Sequence, residues 1–315
     1  MGRRYAYLFP GQGSQYVGMG QDLHKDYPAA RDAFAQADDV LGIRLSRMCF
    51  EGPREVLDDT VNTQPAILAT SVAALRVLDG LGLEPADYVA GHSMGEFTCL
   101  VAAGVLSFEE GLRLVRERGA LMKEAGLRRP GGMAAILGLD RSSLEDVCVE
   151  AREATGGYVG VANDNCPGQI VLSGAKPALR YAMEIARTRG AKRAIPLAVS
   201  IAAHSPLMED AAIAFAQRLA ATPLEEPTVP ILMNALAQPA TAPEFIRDAL
   251  AQQLTSPVRW TESMSWMMAQ GVDVCVEIGP GNVLTNLLRR IDRSVERMPT
   301  SDALARYGAA AAPSG

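Results

Sequence analysis

The chain has 315 residues, 48% of them hydrophobic, enough to bury one large core with an appendage or two separate cores. A formal net charge of −6 argues against a nucleic-acid partner for the chain as a whole, while leaving room for local basic patches. No run approaches the roughly 18 uninterrupted apolar residues of a membrane span. Five cysteines (Cys49, Cys99, Cys148, Cys166, Cys275) form no C-x-x-C pair, so neither a disulfide framework nor a zinc site is expected. Met1-Gly2-Arg3-Arg4-Tyr5 leads straight into a strand without the apolar region of a signal peptide, and a cytoplasmic protein is expected.

In chain order, an apolar strand at 5–9 is followed by helical patterns near 28–41 and 64–81, a strand at 88–90, and helical patterns near 95–104 and 108–126. This alternation predicts a largely parallel sheet. From Gly131-Gly132 the order changes to strand 133–139, helix 141–154, strands 157–162 and 169–173, helix 176–189 and strand 193–199, the ferredoxin-like signature. After Ser200 come helical segments at 205–221, 243–254 and 260–270 and a strand at 272–278. The pattern predicts an α/β fold: a discontinuous large domain at 1–130 and 200–298, interrupted by a small domain at 131–199. The small-residue stretch 299–315 is expected to be frayed.

Gly91-His92-Ser93-Met94-Gly95 fits G-x-S-x-G directly after an apolar strand and directly before a helix, the context in which that pattern presents a nucleophile. The glycines leave room for a strained turn, and the helix N-terminus turns amide hydrogens toward developing negative charge. A serine needs a base, and the chain offers His24, His92 and His204. His92 adjoins Ser93 on a tight turn, where neighbouring side chains diverge. His24 lies in a polar stretch that reads as solvated surface. His204 ends an apolar run and precedes Ser205-Pro206, a strand-to-helix loop suited to displaying a catalytic group. No aspartate is clearly placed to orient it, which leaves open a dyad steadied by a backbone carbonyl.

In the helix near 108–126, Leu114, Val115, Leu121, Met122 and Ala125 form an apolar stripe, and Arg118 is the only charge within it. An unpaired guanidinium out of water is costly, so Arg118 requires an anion. That anion is either an acid of the protein or a carboxylate on a substrate, which arginine grips in a planar fork. Phe9-Pro10-Gly11-Gln12-Gly13-Ser14-Gln15 offers backbone amides after the first strand and reads as an oxyanion hole or a plain tight turn; it has no Gly-Lys-Ser/Thr and is not a phosphate-binding loop. Glu277-Ile278-Gly279-Pro280-Gly281 reads as a structural strand end and helix start.

With these motifs in hand, the chain from about residue 5 to 292 resembles the malonyl-CoA:acyl-carrier-protein transacylases and the related acyltransferase domains of polyketide synthases. The resemblance is carried by Phe9 to Gln15, Gly91-His-Ser-Met-Gly-Glu96, Arg116-Glu-Arg-Gly119, Asn163-Asp-Asn-Cys-Pro-Gly-Gln169, His204-Ser205 and Glu277 to Gly281. It implies an α/β-hydrolase-like large domain with an inserted ferredoxin-like small domain, and no cofactor. It further implies that Ser93 is acylated, His204 is the base, Arg118 holds the malonyl carboxylate, the Gln12 and Met94 amides bind the oxyanion, and the Gln253 carbonyl orients His204. Malonyl-CoA and a phosphopantetheinylated acyl carrier protein are the implied partners. Because such carriers are acidic, Arg187, Arg189, Lys192 and Arg193 are candidate docking residues, with plain surface solvation as the alternative for each.

Ala203 stands just before His204, where malonyl-specific polyketide domains often carry phenylalanine, so a substituted malonyl substrate stays open. An acyl hydrolase editing carrier-bound groups, a carrier-to-carrier acyltransferase and a non-catalytic carrier-binding module are the competing readings. A malonyl donor is favoured over the hydrolase because simple acyl chains have no carboxylate for Arg118 to hold.

Overall fold

The computed structural model describes residues 2–311. Among them run ten strands: β1 (Tyr5–Phe9), β2 (Tyr88–Gly91), β3 (Gly131–Leu137), β4 (Val159–Cys166), β5 (Gln169–Ala175), β6 (Arg193–Pro196), β7 (Ile231–Met233), β8 (Gln238–Ala240), β9 (Val274–Glu277) and β10 (Glu296–Pro299). Six form one sheet in the order β10-β9-β1-β2-β7-β8. Every pairing in it is parallel except β7 with β8.

β1 lies inside this sheet and is buried along its whole length. Its residues alternate between two faces, as a strand's period of two requires. Tyr5, Tyr7 and Phe9 join a core built with the helices Pro28–Leu41, Thr60–Gly80, Gly95–Ala102 and Phe108–Arg128, whereas Ala6 and Leu8 pack under Trp260, Met264, Leu284 and Leu288 on the other side. A continuous apolar run such as Tyr-Ala-Tyr-Leu-Phe is what a parallel strand covered on both faces needs. The long helices begin where the sequence caps them: Asp59 accepts from the Val61 amide at 3.2 Å, and Ser107 from the Glu110 amide at 3.1 Å, with Glu109 and Glu110 in the first turn.

The remaining four strands form an antiparallel sheet in the order β4-β5-β3-β6, with helices Arg141–Thr155 and Lys176–Thr188 supplying a separate core around Leu144, Val147, Leu179 and Met183. This is the inserted ferredoxin-like unit expected from the β-α-β-β-α-β order. It is fastened to the larger sheet's surroundings by backbone bonds, Val258 N–H to Ala162 O at 2.8 Å and Asp164 N–H to Val258 O at 2.9 Å.

Several expectations are corrected. The stretch after residue 299 is not frayed through residue 311: Thr300–Ala311 is a helix with Ala303 and Tyr307 buried, while 312–315 lie outside the described residues. The strand expected to run to residue 199 ends at Pro196, and 197–205 is irregular chain. His24 is not solvated surface; it is half-buried on the helix Gln21–Asp26, its ring 5.0 Å from that of Phe50 and 6.2 Å from that of Phe34. The antiparallel edge pair β7 and β8 was not expected at all.

Candidate active site

At the C-terminal end of β2 the chain turns sharply into the helix Gly95–Ala102. Glycine is required on both sides of Ser93 because backbone meets backbone there. A Cβ on Gly91 would lie 2.0 Å from the Gly95 carbonyl oxygen, and one on Gly95 would lie 2.3 Å from the Phe9 oxygen. Ser93 itself sits at φ 53° and His204 at φ 57°, two of three non-glycine residues with left-handed backbone among those described. Strain of this kind persists only where surroundings enforce it. At Ser93 the enforcing group is Asn234, whose Oδ1 accepts from the Ser93 amide at 2.7 Å while its Nδ2 donates to the Gly91 oxygen at 2.7 Å. At His204 it is Ser205, whose hydroxyl donates to the Ala202 oxygen at 2.6 Å and accepts from the Leu207 amide at 3.3 Å.

The Ser93 hydroxyl and His204 Nε2 are 2.8 Å apart. His204 Nδ1 faces the carbonyl oxygens of Gln253 at 2.9 Å and Ser256 at 3.2 Å. Carbonyls only accept, so Nδ1 carries the hydrogen, and Nε2 is left as the acceptor for the serine proton. Burial and the neighbouring Arg118 cation push His204 down to about 3, keeping the ring neutral. His92 points elsewhere: its Nε2 donates to Asn165 Oδ1 at 2.8 Å and its ring packs on Trp260.

Arg118 is 1% exposed, yet among the described residues no carboxylate touches it. Nη1 donates to Gln64 Oε1 at 2.9 Å and Nη2 to Gln253 Oε1 at 2.8 Å, with the Ser93 hydroxyl oxygen 3.3 Å from Nη2. Its Nε has no partner among the described residues. Burial lowers the guanidinium to about 10, against a raising contribution from Glu96, so it stays cationic near neutrality.

Glu96 is buried behind these groups, its two oxygens accepting from the Asn234 backbone N–H and from Gln253 Nε2. Burial is the largest influence on its carboxyl and leaves it raised, with the Asn234 and Gln253 donors and the Arg118 cation lowering it only in part. With a donor facing each oxygen, the hydrogen-bond pattern is that of the carboxylate.

A cleft opens over Ser93 between the two sheets. Its floor includes Gln12, Ser93, Met94, Arg118 and His204, and its walls are apolar: Met133 and Val171 from the insert, Val199 and Ile201 from the irregular chain, Leu284 and Leu287 from the helix Val283–Ile291. Ala203 lines the same space. Around the turn, the Ser93, Gly95, Glu96 and Phe97 amides all have intramolecular acceptors, whereas those of Met94 and Gln12 find none among the described residues. The cleft therefore contains a hydrogen-bonded serine and imidazole, two unengaged amides and a cation with no carboxylate partner among the described residues.

Sequence reasoning placed Ser93, His204, Arg118, Gln12, Met94 and Gln253 together, and all six surround this cleft or support it. It missed Asn234, Gln64 and the Gln253 side chain. The available signals were polar residues in apolar settings: Gln64 ahead of Pro65-Ala-Ile-Leu-Ala, and Asn234 directly after the buried Ile-Leu-Met of β7. Glu277 is structural as expected, its carboxylate accepting from the Leu284 and Thr285 amides at 2.9 and 2.7 Å at the start of the helix that walls the cleft. Of the proposed docking cations, Arg189 is paired with Glu150 and Arg187 donates to the Ala194 oxygen.

Residues 6–308 match the acyl transferase domain family. The chain is 45% identical over 299 residues to the malonyl CoA-acyl carrier protein transacylase of Bacillus subtilis (strain 168), covering 95% of this chain and 94% of that protein. The solved malonyl CoA-acyl carrier protein transacylase of Coxiella burnetii superposes with a TM-score of 0.94 at 40% identity, covering 97% of each chain. A malonyl-transacylase solved in complex with its type II PKS acyl-carrier protein also superposes with a TM-score of 0.94, at 41% identity over 97% of this chain and 99% of that one. By a match that spans residues 6–308 and relatives 40–45% identical over nearly the whole chain, the chain belongs to the acyl transferase domain family and, within it, to the malonyl CoA-acyl carrier protein transacylases.

Proposed function

We propose that the protein moves a malonyl group from coenzyme A to the phosphopantetheine thiol of an acyl carrier protein through an acyl-Ser93 intermediate. His204 Nε2 takes the Ser93 proton as the oxygen attacks the thioester carbonyl. The Gln12 and Met94 amides receive the oxyanion. Collapse breaks the carbon–sulfur bond and returns the proton through His204 to the departing thiolate. The carrier thiol then repeats the sequence in reverse, delivering its proton to His204 and restoring Ser93.

The observation that carries the malonyl assignment is the Arg118 guanidinium on the cleft floor beside Ser93, with no carboxylate in contact with it among the described residues. A buried cation held only by neutral oxygens, two of amides and one of the Ser93 hydroxyl, keeps its charge available, and a malonyl carboxylate would supply the anion that the protein withholds. An acyl hydrolase of simple acyl chains has no use for that arrangement. The named activity of the relatives in Bacillus subtilis and Coxiella burnetii, and the carrier bound to the neighbouring transacylase, support the same reading. Ala203 on the cleft wall leaves room at the α-carbon, so a substituted malonyl group belongs among the substrates tested. Five buried free thiols suit a reducing compartment, and we place the reaction in the cytoplasm.

The test is intact-protein mass after brief exposure to malonyl-CoA, methylmalonyl-CoA or acetyl-CoA. A malonyl adduct is expected on the wild type, none on Ser93→Ala, and a weakened one on Arg118→Ala. An adduct that persists in Ser93→Ala, or is indifferent to Arg118, would sink the assignment.

A further inference from the structure

Arg118 can serve as a carboxylate clamp only if its fork is aimed, and the group that aims Nη2 is a side-chain amide that could face either way. Oxygen and nitrogen of Gln253 occupy nearly the same shape, so the choice between them is made by hydrogen-bond polarity. Gln253 Oε1 accepts from Arg118 at 2.8 Å. Gln253 Nε2 donates to the Ser93 carbonyl oxygen at 2.9 Å and to Glu96 Oε2. The other Glu96 oxygen accepts from the Asn234 backbone N–H, a residue that also holds the Ser93 turn.

We propose that Glu96 is a positioning residue for acyl-group selection: as a buried, acceptor-only carboxylate it fixes the Gln253 amide with its oxygen toward Arg118, and so aims the guanidinium at the carboxylate of the incoming acyl group. The inference rests on the reading of Arg118 as the malonyl clamp. It goes beyond that reading because Glu96 touches neither Arg118 nor the cleft. The polarity runs in one direction along the chain of contacts. Asn234 N–H points to Glu96, Gln253 N–H points to Glu96, and Arg118 N–H points to Gln253. Glutamine at 96 has the same shape but one acceptor only. It must set its own NH₂ either against the Asn234 amide or against the Gln253 amide. In the second case Gln253 is driven to turn over, presenting NH₂ to the guanidinium and its oxygen to the Ser93 carbonyl. In the first, the buried Asn234 amide loses its acceptor and the Ser93 turn loosens.

The arrangement also explains why a carboxylate is kept one residue back. In direct contact, Glu96 would pair with Arg118 and compete with the substrate. Through the Gln253 amide it orders the fork while the guanidinium itself meets only neutral oxygens.

The experiment compares kcat/KM for malonyl-CoA with that for acetyl-CoA, which has no carboxylate, in wild type, Arg118→Ala, Glu96→Gln, Gln253→Met and the Glu96→Gln/Gln253→Met double variant. Gln253→Met removes the side-chain amide and keeps the backbone carbonyl that receives His204 Nδ1–H. The malonyl:acetyl ratio should fall about tenfold or more in Glu96→Gln, the scale of one hydrogen bond to a charged group, and by as much in Gln253→Met. Because Glu96 acts through Gln253, the double variant should be no worse in this ratio than Gln253→Met alone. An unchanged ratio in Glu96→Gln overturns the proposal. So does an equal loss for both substrates, which is the signature of a merely structural role, or full additivity in the double variant. If Arg118→Ala collapses the ratio and Glu96→Gln does not, this inference fails alone; if Arg118→Ala leaves the ratio intact, the clamp reading fails and takes the inference with it. Should Glu96→Gln not fold, Gln253→Met decides, since an undiminished ratio there is equally fatal.

Discussion

A base that stays neutral far below the ordinary histidine range gives this site a distinctive pH response. Burial first, then the Arg118 cation, drives His204 from 6.5 to about 3, with the Gln253 and Ser256 carbonyls pulling weakly the other way. The serine-accepting form is therefore present at acidities where a free imidazole is mostly charged. Acylation of folded enzyme by malonyl-CoA, followed by rapid quench, should be nearly flat between about pH 7 and pH 5; a rate that halves near the ordinary value of 6.5 would count against a shielded base. Stability should behave oppositely. The unfolded chain takes up a proton on this histidine below 6.5 that the folded chain resists until about 3, so stability falls as pH drops through that window. His92, also lowered by burial, adds in the same direction. Thermal unfolding across the window should show the loss, with a shallower slope in His204→Gln.

Single residues also mark the limit of what the sequence discloses. Ser93 was legible because its neighbours in sequence make its turn, and Arg118 because a lone charge on an apolar stripe is anomalous wherever it occurs. The anion left open for Arg118 was not legible. Its neutral holders, Gln64 and Gln253, lie 54 and 135 residues away in sequence, and nothing local distinguishes a glutamine that faces an arginine from one that faces solvent.

At the level of elements, the site is a junction where β1, β2 and the helix Gly95–Ala102 meet backbone to backbone at their glycines. Gly11 belongs to the same junction, since a Cβ there would lie 2.3 Å from the His92 oxygen. Neither partner can rotate out of the way, as a side chain could. Gly95→Ala should therefore cost about 1–3 kcal/mol or more through overpacking and should depress acyl-adduct formation by tilting the helix away from β1. Gly80→Ala, which meets nothing within 4 Å, is the matched control and should be neutral or slightly stabilising. If Gly95→Ala unfolds at the wild-type temperature and acylates fully, close approach is not what the motif's last glycine provides. The long periodic helices and the buried strands were readable because their pattern is local. β7 and β8, three residues each, carry too little pattern of their own and exist by pairing with β2 and with each other. The helix expected at 205–221 likewise begins as a 3-10 turn at Pro206–Met208, where Ser205 is engaged in holding the His204 loop.

The whole molecule adds a connection that composition concealed. The ferredoxin-like insert was evident from strand and helix order, but its seating on the larger unit depends on pairs such as His92 with Asn165, 73 residues apart, which no periodicity announces. The final helix was hidden in a different way, since its alanines and glycine resemble a low-complexity tail. What distinguishes it is Ala303 and Tyr307, one turn apart and both buried, with the Tyr307 hydroxyl donating to Glu84 and Arg306 paired with Glu296. At its start, Thr300 Oγ1 accepts from the Gly279 amide at 2.9 Å and lies 2.9 and 3.0 Å from the Glu277 and Gly279 oxygens. That turn leads into the helix whose Val283, Leu284 and Leu287 wall the cleft. Removing the chain after Pro299 should thus do more than shorten it. Loss of the Tyr307 packing alone is worth about 3 kcal/mol, or roughly 5 °C in unfolding temperature for a chain of this length. The freed Gly279-Pro280-Gly281 turn should also slow acylation of Ser93. Tyr307→Ala separates the two effects: it should lower the unfolding temperature while leaving the Thr300 bonds, and with them the acylation rate of folded enzyme, largely intact. A truncated chain with unchanged melting and unchanged acylation would return the segment to the status of an ornament.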